Sequence, residues 1–436
     1  MRLVTLFLFV SLSLLTACSH KEDAVSSAPD MASVRASLAF TCVHEADNLP
    51  QLDPDADKLF KYGRYLQTAD GPKDFDEITR LYRIAAANGH YKANGNLQKL
   101  LSEGFAKSPD AQTESVDLAE QLIKQGVPGG YYDMGHYLET GYGVKQNTED
   151  ALRHFRKAAD LGNPEAQYYI AELLAPADKA PEIARQMRQC AADQGHGAAA
   201  TKLGVNLQSA SLYSDAVKAF QKGAAAGDAN STSFLANGFT GPSASNRLYF
   251  LALSNDPERT KRYGLVGDFI TRNEGRNPKV PDIDSIVPLP PTKLPTWDGT
   301  FQWEKIRAAA TPPERPTDEV IDRLSKEKNL DPATGLPLPG MSGKTSQNEQ
   351  PANVLARVPL GTVARTGEPC PEDGVWCAKL SAGQTGDAQR RFLKGDVLPS
   401  LNVHEPRQLA FIDRWMGTRQ HTTQVTWELV GYIDKT

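Results

Sequence analysis

Small and apolar residues recur along the first half of the chain in one phrase, Ala-Ala-x-x-Gly-x-x-x-Ala, with polar residues between its members. It reads Ala85-Ala86, Gly89 and Ala93, then Ala158-Ala159, Gly162 and Ala166, then Ala191-Ala192, Gly195 and Ala199. Two degenerate copies centre on Gly126 and Gly227, so the five glycines stand 32 to 37 residues apart. Periods of this size mark helical-hairpin arrays. Each unit reads as two helices, with alanines allowing close approach and the glycine supplying a left-handed C-cap after the second helix. Gly141 and Gly143 relax the turn inside one unit. A single hairpin cannot bury its apolar stripe, so neighbours stack into a solenoid. An ordinary Ala-rich bundle is the competing reading, and five evenly spaced copies count against it.

The pattern changes after residue 255. "NDPERTKRYGLVGDFITR" reads as a closing helix, capped by Asp256 with Pro257 in its first turn. "NPKVPDIDSIVPLPPTKLPTWDGTFQW" is too proline-rich for regular helix. Its apolar residues, with Trp297 and Trp303, predict an extended run docked along the end of the solenoid. "PTDEVIDRLSKEKNLDPATGLPLPG" predicts a helix capped by Thr317, and "TSQNEQPAN" reads as a mobile joint. Beyond it, "GVWCAKL" and "TQVTWELVGYI" have strand composition. The second sets Val425, Trp427 and Leu429 against Thr426, Glu428 and Val430. The expected organisation is 1–17 signal segment, 18–45 tether, 46–272 solenoid, 273–351 docking segment and 352–436 small β-rich domain.

Composition narrows the function. The 436 residues are 40% hydrophobic and 23% charged, with a net charge of −5. A folded core is therefore within reach, and the basic footprint of a nucleic-acid binder is missing. After Arg2, the apolar run from Leu3 to Ala17 is shorter than the roughly 20 residues needed to span a bilayer, and it fits a secretory signal. Its end, Leu15-Thr16-Ala17-Cys18, resembles the lipobox of bacterial lipoproteins. The resemblance implies cleavage before Cys18, lipidation of Cys18 and, from Ser19, an outer-membrane address facing the periplasm. The lipid would then be the only contact with the membrane.

An oxidising compartment makes disulfides the expected state of the remaining cysteines. Cys370 and Cys377 flank a Pro-Asp-Gly turn in "CPEDGVWC", which predicts a local Cys370–Cys377 bridge. Zinc fits that pair poorly, because ligand pairs usually lie two to four residues apart. Cys42 and Cys190 remain as a leftover pair that the sequence does not settle.

"GGYYDMGHYLETGYGVKQNTEDALRHFRKAADLGNPEAQ" resembles the Sel-1-like repeat, a relative of the tetratricopeptide repeat. The likeness rests on Met134-Gly135, Leu138, Gly141, Gly143-Val144, Ala151, Phe155 and Lys157-Ala158-Ala159. It implies a mainly α fold, a right-handed α-solenoid whose concave face, lined by first helices, holds a protein partner. Candidate partner-binding positions are Asp133 and Tyr137, four apart on one helix face, with Tyr169, Lys202 and Asn206. His90 and His196 follow repeat glycines and read as structural. Residues 255–339, with "VPLPP", "WDGTFQW" and "LDPATGLPL", resemble an extension on certain proteobacterial Sel-1-like lipoproteins. Such proteins are similar to immunity proteins that neutralise phospholipase effectors of type VI secretion systems. That likeness implies a cognate phospholipase effector as partner, with a structural adaptor of an envelope complex as the alternative.

No motif for chemistry stands out. "PGMSGKTS" has Leu338 where a phosphate loop needs glycine. His44 and His404 each stand beside a glutamate without a second histidine at ligand spacing, and read as polar surface. The expectation is a non-enzyme with no cofactor or metal.

Overall fold

The structure, a computed structural model, describes residues 38–177, 179–338, 358–381, 384–385, 388–405 and 419–432. Cys18, the signal segment and most of the tether therefore lie outside the described residues, as do the glycine-rich "PGMSGKTS" and the joint at 345–353.

Twelve helices run in sequence: α1 (Pro54–Thr68), α2 (Phe75–Ala87), α3 (Tyr91–Ser102), α4 (Ala111–Lys124), α5 (Pro128–Thr140), α6 (Thr148–Asp160), α7 (Pro164–Leu174), α8 (Pro181–Asp193), α9 (Gly197–Ser209), α10 (Tyr213–Ala225), α11 (Ala229–Gly238) and α12 (Pro257–Arg272). Each packs mainly on its sequence neighbours, as a solenoid requires.

The small-residue phrase now has a mechanical account. Gly89, Gly126, Gly162, Gly195 and Gly227 all adopt positive φ, between 75° and 104°. The residue after each glycine donates its N–H to the carbonyl five residues back, as in His90 to Ala85 and His196 to Ala191. These are Schellman C-caps. In four of the five turns the same residue then caps the next helix, and in three its partner is the last alanine of the phrase. Ala93 and Ala199 donate their N–H groups to Nδ1 of His90 and His196, each at 3.1 Å, and Ala166 donates to Asn163 at 2.8 Å. The two histidines are thus caps, as the sequence reading held, and burial lowers both their pKa values. All the phrase alanines are buried, because helices meet at them.

The proline-rich segment does more than dock along one end. Val280, Ile283, Ile286, Val287 and Phe301 enter the core of the last hairpins, with Phe301 stacked on Phe269 at 4.0 Å. A short helix, α13 (Ile283–Ile286), lies in this stretch. The chain then returns to the first repeat through α14 (Gln302–Ala309) and α15 (Asp318–Glu327). Arg276 pairs with Asp70 at 3.2 Å and Arg323 with Asp55 at 2.6 Å. Ile321, Leu324 and Leu330 join the core of α1 to α4. The exposed apolar ends that a helical array must cover are therefore both covered by one extension.

Residues 39–48, including a short turn at Glu45–Asn48, form a strap across the glycine turns. Gln167 donates to Val43 O at 2.9 Å, Glu45 N–H donates to Gln194 at 2.7 Å, and Asn48 donates to Leu161 O at 2.8 Å. The strap explains a difference between two otherwise equivalent glycines. A Cβ at Gly162 would lie 2.5 Å from the His44 carbonyl carbon, whereas at Gly195 it would meet nothing within 4 Å. Gly195→Ala is expected to cost about 1 kcal/mol through positive φ alone. Gly162→Ala is expected to cost about 3 kcal/mol, because the strap must also shift. Urea midpoints of the two variants check this, and equal midpoints would contradict the tight seat.

Among the described residues six strands follow: β1 (Val363–Arg365), β2 (Gly374–Lys379), β3 (Gln389–Phe392), β4 (Leu401–Glu405), β5 (Arg419–Thr423) and β6 (Thr426–Tyr432). One antiparallel sheet has the order β1-β6-β2-β3, and β4 pairs with β5. Val425, Trp427 and Leu429 are buried and Val430 is exposed, following the alternation in sequence. The domain meets α6 through Arg391–Asp150 at 2.7 Å and Asp396–Lys157 at 3.7 Å.

Candidate functional site

First helices α5, α7 and α9 carry the residues singled out by sequence. Asp133 and Tyr137 do act together, through a third residue. Gln98 on α3 donates to Asp133 at 3.2 Å and accepts from the Tyr137 hydroxyl at 2.6 Å. Gln98 is in turn held by Asn94 at 2.7 Å, and Asn94 donates to Leu118 O at 3.0 Å. Buried Gln98 and Asn94 thus fix two residues that are only half-buried as a whole. Tyr169 on α7 joins this face by donating to Glu139 on α5. Lys202 and Asn206 on α9 are exposed and stand apart from the network, with Asn206 accepting from Arg188.

Sequence reasoning missed the strap's share. Glu45 accepts from Asn163 at 2.9 Å, and its pKa is raised, first by burial and further by the Glu165 carboxylate. Glu165 and Glu45 also act on Asp133. Burial is the main cause that pushes the Asp133 carboxyl up to about 7, while the Gln98 hydrogen bond opposes the rise. Burial also lifts Tyr169 to about 12 and raises Tyr137. The face therefore combines fixed tyrosines with a carboxyl that is protonated more readily than usual, at a point where residues 39–48 lie nearby. No signal within the repeat frame announces Glu45, because it belongs to another part of the chain.

The sign of the Asp133 shift gives a pH dependence. The unfolded chain releases this proton near pH 4 and the folded one near 7, from a starting value of 3.8. The native state binds more protons between these limits, so the carboxyl's contribution makes stability fall as pH rises across that window. Asp133→Asn is expected to melt higher than the wild type at pH 8, with a smaller difference at pH 4. Comparing the two proteins at each pH isolates Asp133 from the histidines, and a gap that does not change with pH would refute the shift.

The cysteines correct the sequence reading. Cys42 in the strap is bonded to Cys190 of α8, with Cα atoms 5.6 Å apart, while Cys370 and Cys377 are both free. Strand parity is the reason. Trp376 and Ala378 point into the domain core, so Cys377 on β2 points to the opposite face. Cys370 is buried in the same core as Trp376, its thiol donating to Glu372 O at 3.1 Å, and burial pushes that thiol up to about 12.

Comparison with known proteins gives one family model that matches part of the chain and several similar solved structures. Residues 231–338 match a domain of unknown function, DUF6396. That stretch is the last hairpin with the extension that returns to the first repeat. Among solved structures, immunity proteins PA5088 and Pa5087 of Pseudomonas aeruginosa are each 29% identical and cover 58% of this chain. They are matched over 94% and 95% of their own lengths, with TM-scores of 0.49 and 0.47. A Sel1 repeat protein of Oxalobacter formigenes is 21% identical over 49% of this chain and 87% of its own, with a TM-score of 0.37. A search of curated proteins gives no match.

Proposed function

We propose that this chain is a protein-binding scaffold whose α3–α5–α7 face holds one folded partner, and that it serves as an immunity protein. The observation that carries the reading is the hydrogen-bonded set Gln98, Asp133, Tyr137, Tyr169 and Glu139. Tyrosines already locked in place lose little freedom on binding, which favours them as anchors. The covered ends and the tied strap hold the face rigid, so little ordering is needed when a partner docks. The extension motifs quoted above, and their resemblance to those of Sel-1-like lipoproteins similar to immunity proteins, support a phospholipase effector of a type VI secretion system as that partner. In this reading the chain is tethered through Cys18 to the outer membrane, faces the periplasm and captures the lipase before it reaches lipid.

Residues 19–436 without the lipid would be mixed with a phospholipase encoded by a neighbouring gene. A 1:1 complex with loss of lipase activity supports the proposal, and Tyr137→Ala with Asp133→Ala should weaken that complex at least tenfold. A chain that leaves the lipase fully active ends it. Weak association with several envelope proteins instead would favour an adaptor.

A further inference from the structure

The Cys42–Cys190 pair has a third group beside it. His44, two residues along the strap, places a ring nitrogen within 4.8 Å of both sulfurs. The His44 ring makes no hydrogen bond among the described residues, so its lone pair is uncommitted. A cavity of about 520 Å³ is lined by both cysteines, with Phe40, Asp193, Leu203 and Leu207. Cys42 is exposed and Cys190 buried, so the pair is open to solvent on one side and backed by α8 on the other.

Two thiolates and an imidazole form a donor set for thiophilic divalent ions such as zinc. Sulfurs each about 2.3 Å from a tetrahedral ion stand roughly 3.8 Å apart, a separation that opening the disulfide allows. Water would take the fourth position. We propose that the reduced protein binds one Zn²⁺ through Cys42, His44 and Cys190, so that the strap is clamped to α8 by a covalent bond when oxidised and by a metal ion when reduced.

The steps balance. A dithiol reductant delivers two electrons and two protons to the disulfide and closes to its own disulfide. The two protein thiols then release both protons to solvent as the ion binds, and a His44 ring nitrogen donates a lone pair. The metal and the disulfide exclude each other, because they use the same two sulfurs.

Tag-free residues 19–436, reduced with a phosphine and kept free of oxygen, would be titrated with Co²⁺ as a spectroscopic probe and then with Zn²⁺. The expected result is one equivalent of tetrahedral Co²⁺ with sulfur-to-metal charge-transfer absorption, displaced by Zn²⁺. Cys42→Ser should abolish that absorption. His44→Ala should weaken Zn²⁺ binding at least tenfold while leaving the melting temperature of the oxidised protein unchanged. The free thiols Cys370 and Cys377 remain in both variants, so absorption that survives in Cys42→Ser would place the metal elsewhere and overturn the proposal. So would equal uptake by oxidised protein, wild-type affinity in His44→Ala, or no stoichiometric uptake by the reduced chain.

Discussion

Trp427→Ala is expected to unfold the β domain while the solenoid stays folded. Trp427 is fully buried at the centre of the sheet, on β6 between β1 and β2. Its ring meets Phe392 edge-on at 5.1 Å, and its indole N–H donates to Pro399 O at 3.1 Å. Truncating a buried tryptophan costs about 3 to 5 kcal/mol, from lost transfer energy and the cavity left behind. A domain of this size has little stability in reserve. The free cysteines matter here, because no covalent tie holds the domain together once its core is emptied. Heating should separate into two transitions, and limited proteolysis should leave a stable fragment ending near residue 338. A single transition at the wild-type temperature would show that the domain does not depend on this core.

The second large effect is expected at Arg262. Its guanidinium donates to Ile286 O at 2.7 Å and Pro295 O at 2.9 Å, and its Nε to Glu258 at 2.9 Å. It also lies over the Trp297 ring at 5.9 Å. A proline-rich segment cannot satisfy its own carbonyls in a ladder, so a buried arginine on α12 does so. Bonds to a charged donor contribute roughly 1.5 to 3 kcal/mol each, and buried carbonyls left unpaired add a penalty. Arg262→Ala should therefore lower stability by about 3 kcal/mol and open residues 286–301 to protease. Arg262→Lys should recover less than half, because one ammonium cannot stand where Nη1 meets both carbonyls and also replace the Nε bond to Glu258. Urea midpoints and cleavage rates check both, and a change under about 0.5 kcal/mol would place the segment's support elsewhere.

Local chemistry is what the sequence made legible. Gly162 and its four counterparts are found at positive φ because a Schellman turn needs that conformation, and such a turn is complete within six residues. Asp256 and Thr317 cap the helices expected of them, since a cap acts on N–H groups only a few residues away. Val425, Trp427 and Leu429 face inward because strand alternation is a local property. Asp133 and Tyr137 share a face because they lie four apart on one helix. The residue that joins them, Gln98, comes from the preceding repeat and left no trace in that spacing.

The long-range choices were decided only by the tertiary structure. Turn composition favoured Cys370–Cys377, yet the pleat of β2 turns Cys377 away from the core in which Cys370 is buried. The bond instead joins Cys42 and Cys190, 148 residues apart, because the strap crosses the glycine turns at α8. The extension was expected at one end of the array and covers both, since Ile321 and Leu324 find a second apolar face on α1 to α4. Glu45 reaches the α5 and α7 face for the same reason. Periodicity fixes which face of each element is apolar. Which distant segment comes to cover that face depends on how the repeats stack, and on where that stacking brings the two ends of the array.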